Sequence, residues 1–145
     1  MTNNQYIDAY KKTQQSSNAV TSSHEIVRTL MKELVNSMQK IVLDIQDEKK
    51  RKQDQHLVDK VFEEKNARHK SKNLSKALSI IYGLQTSLDF DKALEIANNL
   101  FQLYEYCRHE IIRGFSQKIE DGIVRAIDVI KQIMEGWEEI PSLDK

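Results

Sequence analysis

Four histidines and one cysteine are the side chains here that could carry proton transfer, metal ligation or nucleophilic attack. His24 sits at the predicted start of a helix, His56 and His69 lie in charged tracts, and His109 falls on a helical stretch. Metal or acid–base chemistry needs such residues at fixed helical spacings. Neither His-Glu-x-x-His nor Cys-x-x-Cys occurs, and no glycine-rich phosphate loop or strand–turn–helix serine elbow is present. A di-metal carboxylate site inside a helical bundle uses repeated Glu-x-x-His. Glu105 and His109 are four apart and unrepeated, so no metal ligand set and no cofactor is assigned. A phosphotransfer histidine would stand beside a lysine and a glycine, whereas His109 is followed by Glu110, Ile111 and Ile112. Surface and capping roles are therefore expected for the histidines. Cys107, between Tyr104 and Ile111 on a helical stripe, reads as a small buried hydrophobe. A lone cysteine allows no intrachain disulfide and suits a reducing cytoplasm. No catalytic residue is assigned, and an enzyme is not expected.

The elements that would position any site are helices. Four glycines and one proline in 145 residues, with no glycine before Gly83, exclude turn-rich β architectures. Apolar residues come in adjacent pairs: Ile26-Val27, Leu30-Met31, Leu34-Val35, then Met38, Ile41-Val42 and Ile45. At about 100° per residue this run covers roughly half a helical cylinder, wider than the usual stripe. A second broad band runs through Ile119, Ile123-Val124, Ala126-Ile127, Val129-Ile130, Ile133-Met134, Trp137 and Ile140. Either the bundle has a wide core, or part of each band is kept for a partner.

Residues 1–22, rich in Asn, Gln, Ser and Thr, read as an N-terminal arm with Tyr6, Ile7 and Tyr10 as its anchors. Ser22-Ser23 offers an N-cap to the first helix, and Glu25 complements the helix dipole. Where that helix ends is open: it could pass Ile45 into the charged tract 46–56, or turn there or in the tract 63–72. Leu74, Ala77-Leu78, Ile81-Tyr82, Leu84 and Leu88 define a second helix. Asp89 or Asp91 is the expected N-cap of a third, whose face is Leu94, Ala97, Leu100-Phe101, Tyr104, Cys107 and Ile111, with Gly114 closing it. A fourth runs from about Ile119 through Trp137 to a stop at Pro141. The expected fold class is all-α: an antiparallel four-helix bundle over 23–140, preceded by the arm and followed by a tail at 141–145.

Charge is balanced, with 22 lysines and arginines against 22 acids, so no global field points to nucleic acid or a membrane surface. Locally, 49–76 carries ten Lys/Arg against four acids, and from Asp89 onward twelve acids face seven Lys/Arg. Phe62 is the basic tract's lone aromatic, so it lacks the stacking residues of nucleic-acid modules. It reads as a solvated face. No apolar run is long enough to span a bilayer, and the polar start Met1 to Gln5 lacks a secretory h-region.

From Leu74 onward the chain resembles the bacterial flagellin export chaperone family, FliS. The likeness rests on Leu88-Asp89-Phe90, Asn99-Leu100, Leu103-Tyr104-Glu105-Tyr106, Ile119-Glu120-Asp121 and Trp137, with Ala9-Tyr10 and Ser23-His24-Glu25 upstream. It departs from the family at Leu30-Met31-Lys32-Glu33, where Leu-Tyr-Asp-Gly is usual, at Gly114-Phe115 in place of Ala-Asn, and in a longer region around Lys50 to Lys65. The resemblance implies a cytoplasmic bundle that holds the C-terminal helices of flagellin in a long apolar groove, prevents premature polymerisation and brings the subunit to the export apparatus. The flagellar export gate would then be a further partner. It also implies an arm that covers part of the groove, a role Tyr6, Ile7 and Tyr10 could fill. A disordered client pays ordering entropy on binding and needs extensive apolar contact. The outer members of the paired stripes are the expected partner contacts: Ile26, Val35 and Val42 on the first helix, Tyr82 on the second, Val124 and Val129 on the fourth. Leu30, Leu34, Ile81, Leu100, Tyr104, Ile123, Ile130 and Trp137 are expected in the core. The alternative is a self-associating structural bundle using the surplus band as its own interface. A monomer or weak homodimer is expected.

Overall fold

The computed structural model describes residues 23–53 and 60–139. It contains four helices: α1 Ser23–Gln53, α2 Lys60–Thr86, α3 Leu94–Gln117 and α4 Asp121–Glu139. Each packs on its chain neighbours, α4 closes the ring against α1, and α1 also touches α3 across the diagonal. This is the antiparallel four-helix bundle that the periodicity implies.

α1 does not stop at Ile45. It runs on to Gln53, and α2 begins at Lys60, so both charged tracts are largely helical. Glu48 shows how acidic and basic side chains hold this region together: Lys70 of α2 lies at 3.1 Å and Lys118, just past α3, at 3.3 Å. Burial opposes ionisation of Glu48, but the hydrogen bonds and charges of the two lysines outweigh it and hold the carboxyl below its ordinary range. Asn73 donates to Asp44 and Lys76 to Glu33 along the same α1–α2 seam. Lys49 reaches Glu120 and Arg28 reaches Glu138, joining the opposite edge of α1 to α4.

Those two seams explain the width of the α1 band. One edge, with Leu30 and Ser37, turns to α2, while the edge with Met31, Val35 and Val42 turns to α4. From Leu30 to Ile45 every apolar residue except Leu43 is buried. A helix sandwiched between two neighbours and facing a third hides half a cylinder unaided.

Two helix boundaries differ from expectation for local reasons. The N-cap of α3 is Ala93, with no side-chain cap bond. Asp89 instead turns its carboxylate on the N–H groups of Asp91 and Lys92, organising the preceding turn. Gly114 does not close α3, which continues to Gln117 and ends in a left-handed Lys118 (φ 59°, ψ 43°) whose N–H bonds the Gly114 carbonyl. Gly114 is a crossing point: a Cβ there would lie 2.6 Å from the Ile119 carbonyl oxygen and 2.6 Å from Ile123 Cδ1. Its missing side chain lets α4 turn back tightly onto α3.

Candidate functional site

The core is apolar and closed. Leu30, Leu34, Ile81, Tyr104, Ile123 and Ile130 are buried as expected, and Leu100 and Trp137 pack against them half-buried. Cys107 is buried with its thiol 3.7 Å from the Ala126 carbonyl, and burial pushes its pKa up to about 12. Such a thiol is no nucleophile at neutral pH. Burial likewise raises the Tyr104 phenol. His69 and His109 are exposed, and His24 is engaged at the bundle end with Trp137. Among the described residues no group of three or more His, Cys, Asp or Glu is placed to hold a metal ion. No described helix is long and apolar enough to cross a membrane. The apolar residues left on the surface are the other candidate feature.

The surface apolar residues gather on α3, whose own sequence explains how. Its inward row, Ala97, Tyr104, Cys107, Ile111 and Gly114, is buried. On the edge turned to α4, Ile96, Leu103 and Glu110 stand seven residues apart on one row, and Glu110 borders Gly122 of α4. Ile96 is 63% exposed and Leu103 38%, with Tyr106 also exposed beside them. The α4 bank of this seam is the row of Gly122, Ala126, Val129 and Ile133, the last two only half-buried. Ile96, Leu103 and Tyr106 thus stand open along an apolar seam.

The other edge of α3 faces α2. Gln85 of α2 donates to Glu105 at 2.9 Å, and Arg108 bonds the same carboxylate through both Nε and a terminal nitrogen. The hydrogen bonds from Arg108 first, then Gln85, hold the Glu105 carboxyl below its ordinary range. Around this polar clip lie exposed apolar groups: Phe90, which meets Phe101 edge to face at 6.3 Å, then Leu94, Ile112 and Tyr82. Each flank of α3 therefore presents apolar surface beyond what the bundle covers.

The expected contacts fare unequally. Tyr82 is 43% and Val124 42% exposed, while Ile26 and Val129 are half-buried against the core. Val35 and Val42 lie in the core, 7% and 9% exposed, because the edge of α1 that carries them is the one α4 covers. Tyr6, Ile7 and Tyr10 lie outside the described residues. Sequence reasoning missed Ile96, Leu103, Tyr106 and Ile112. The signal for two of them was present: Ile96 and Leu103 are seven apart and stand outside the face that buries Ala97 and Tyr104.

Comparison with known proteins places the chain. The family described as Flagellar protein FliS matches residues 6–143. A Flagellar secretion chaperone FliS from Vibrio cholerae is 28% identical over 136 residues, covering 93% of this chain and 88% of that protein. A second, from Salmonella typhimurium, is 35% identical over 72 residues, 49% of this chain and 53% of that one. No solved structure matches. The match spans all four helices and both banks of the exposed α3 seams, and the chain belongs to the FliS family of flagellar proteins.

Proposed function

We propose that this chain is a cytoplasmic export chaperone that binds the C-terminal helical segment of flagellin, blocks premature polymerisation and escorts the subunit to the export apparatus. Binding is stoichiometric and non-enzymatic, an amphipathic helix laid in an apolar groove. One observation carries the reading: Ile96, Leu103 and Tyr106 stand exposed beside Val129 and Ile133 in a member of a chaperone family. Exposed apolar rows at helical spacing are what a partner helix needs, and they cost solubility without one. Tyr82, Val124 and Val129 remain candidate contacts, now joined by the α3 residues. Val35 and Val42 would take part only through rearrangement of α4 against α1, while Ile26, half-buried on the edge turned to α2, stays a candidate like Val129. The arm residues Tyr6, Ile7 and Tyr10 are proposed to lie over the groove when no client is bound.

Mixing the purified chain with full-length flagellin, and separately with flagellin lacking its C-terminal helices, tests this. Light scattering coupled to gel filtration should give a one-to-one complex in the first mixture only. Equal binding in both, or none in either, overturns it.

A further inference from the structure

The α1–α2 hairpin outruns the rest of the bundle. Glu48–Lys118 and Lys49–Glu120 mark the level of the α3–α4 turn, so Lys60 to His69 of α2 extend beyond the last residues of α3. Among the described residues no helix covers the face of α2 that meets α3 further along, and Ala67 and Ser71 on it are exposed. It forms an open concavity of about 520 Å³ lined by Ala67, Arg68, Ser71, Lys72 and Ser75. Ala67, Ser71 and Ser75 recur every four residues, giving a floor low enough for close approach of another helix. Arg68 and Lys72 border it as a rim and Lys65 stands one turn before Arg68, all three exposed and none ion-paired with a described residue.

The outer face of α4 carries the complement. Asp121, Asp128 and Glu135 are spaced by seven, exposed and likewise without an ion pair among the described residues. Lys65 and Lys72 are also seven apart, so both rows repeat at about 10.5 Å. Val124 projects between Asp121 and Asp128, a small apolar knob matched to the Ser71 floor. Charges of the opposite sign on each face also correspond: Arg125 and Lys131 flank Val124, and Glu64 stands at the near end of the α2 concavity.

We propose that the α2 concavity of one molecule receives the outer face of α4 from a second copy, Lys65, Arg68 and Lys72 meeting Asp121, Asp128 and Glu135. α2 and α4 lie diagonally across the ring, so the two faces of one molecule point in different directions. The contact is heterologous, head to tail, and extends by addition of further copies rather than closing as a twofold dimer. It is weak and salt-sensitive, because exposed charges at Debye-length separations are screened.

Sedimentation velocity of the full chain tests it from about 10 μM to about 1 mM, in about 50 mM and about 500 mM NaCl. The sedimentation coefficient should rise with concentration at low salt, and the rise should vanish at high salt. Arg68→Glu/Lys72→Glu and Asp128→Lys/Glu135→Lys should each sediment as monomers with unchanged circular dichroism. An equimolar mixture of the two variants should regain association, since the intact faces pair with each other and the two reversed faces are again opposite in charge. A wild-type chain that stays monomeric throughout overturns the proposal. So does association that survives either charge reversal, or a mixture that fails to combine. Loss of a labelled DNA duplex from the basic variant, with a monomeric wild type, would assign the rim to phosphate instead.

Discussion

His24 and Trp137 bond each other in both directions, 113 residues apart in sequence. The Trp137 indole N–H donates to the His24 carbonyl at 3.0 Å, and His24 Nε2 lies 2.8 Å from the Trp137 carbonyl oxygen. A carbonyl only accepts, so Nε2 must carry a proton in this arrangement. The rings stack at 5.0 Å and 14°. This clasp ties the first turn of α1 to the last of α4, and Arg28–Glu138 at 2.8 Å braces it from outside.

Trp137→Phe keeps a ring but deletes the donor, leaving the His24 carbonyl without its partner. The expected cost is about 1 kcal/mol. Trp137→Ala, which also removes half-buried ring area, should cost about 2–4 kcal/mol. Urea titrations measure both. Trp137 is the chain's only tryptophan, so in His24→Ala its emission should shift red while helical content is retained. Unshifted emission would mean that the stack contributes nothing to the indole's shielding.

Acid should loosen the α1–α2 seam through Glu48. Its folded pKa lies below the ordinary 4.5, so the native state holds fewer protons than the unfolded chain in that range. The stabilisation it contributes is therefore fully present above about pH 4.5 and disappears as pH falls through the lowered folded value. Glu48→Gln should be less stable than wild type at neutral pH, and the gap should close below that window. A gap independent of pH would place the loss in packing rather than charge.

The three helical glycines of the last two helices should respond differently to alanine. Gly136 has nothing within 4 Å of an added Cβ, so Gly136→Ala should gain up to about 1 kcal/mol from helix propensity alone. At Gly122 the added methyl meets the Glu110 carboxylate, the far end of a flexible side chain that can swing away. Its effect should be near neutral. Gly114→Ala meets the Ile119 backbone carbonyl and Ile123 together and cannot be relieved without moving the α3–α4 turn. A melting temperature lowered by several degrees is expected there.

Which parts of this were legible in the sequence follows from where the determining interaction lies. Periodicity found the four helices and nearly the whole core, because Leu34, Ile81, Tyr104 and Ile130 are buried by their own helices' amphipathic faces. The end of α1 was not legible, since Lys49 to Gln53 contain no breaker and the pairs that anchor this end, Glu48–Lys70 and Lys49–Glu120, join residues far apart in sequence. Gly114 looked like a stop because a glycine's backbone freedom and its small size cannot be told apart in one sequence. Surplus apolar surface was expected on the wrong helix for a similar reason. Stripe width reports how much of a helix is covered, not by whom, so the broad α1 band suggested surplus where α2 and α4 both cover it. On α3 the inward row is narrow and its flanks looked unremarkable, yet Ile96 and Leu103 are the open residues.

That relocation gives the sharpest prediction. If the wide α1 band were a binding surface, Val35→Asp would abolish client binding in a chain that still folds. Val35 and Val42 are instead packed between α1 and α4, 7% and 9% exposed, where a carboxylate would lose most of its hydration. Val35→Asp and Val42→Asp should each cost more than about 3 kcal/mol, a large share of a domain's stability, and appear as lost helical signal or a collapsed melting temperature. Ile96→Asp and Leu103→Asp place the same charge at positions already open to solvent. Both should melt within a few degrees of wild type yet weaken flagellin binding at least about tenfold, some 1.4 kcal/mol or more in a titration calorimeter. Should the α3 variants bind normally while a folded Val35→Asp does not, the contact surface would have to be returned to α1, with α4 moving aside to expose it.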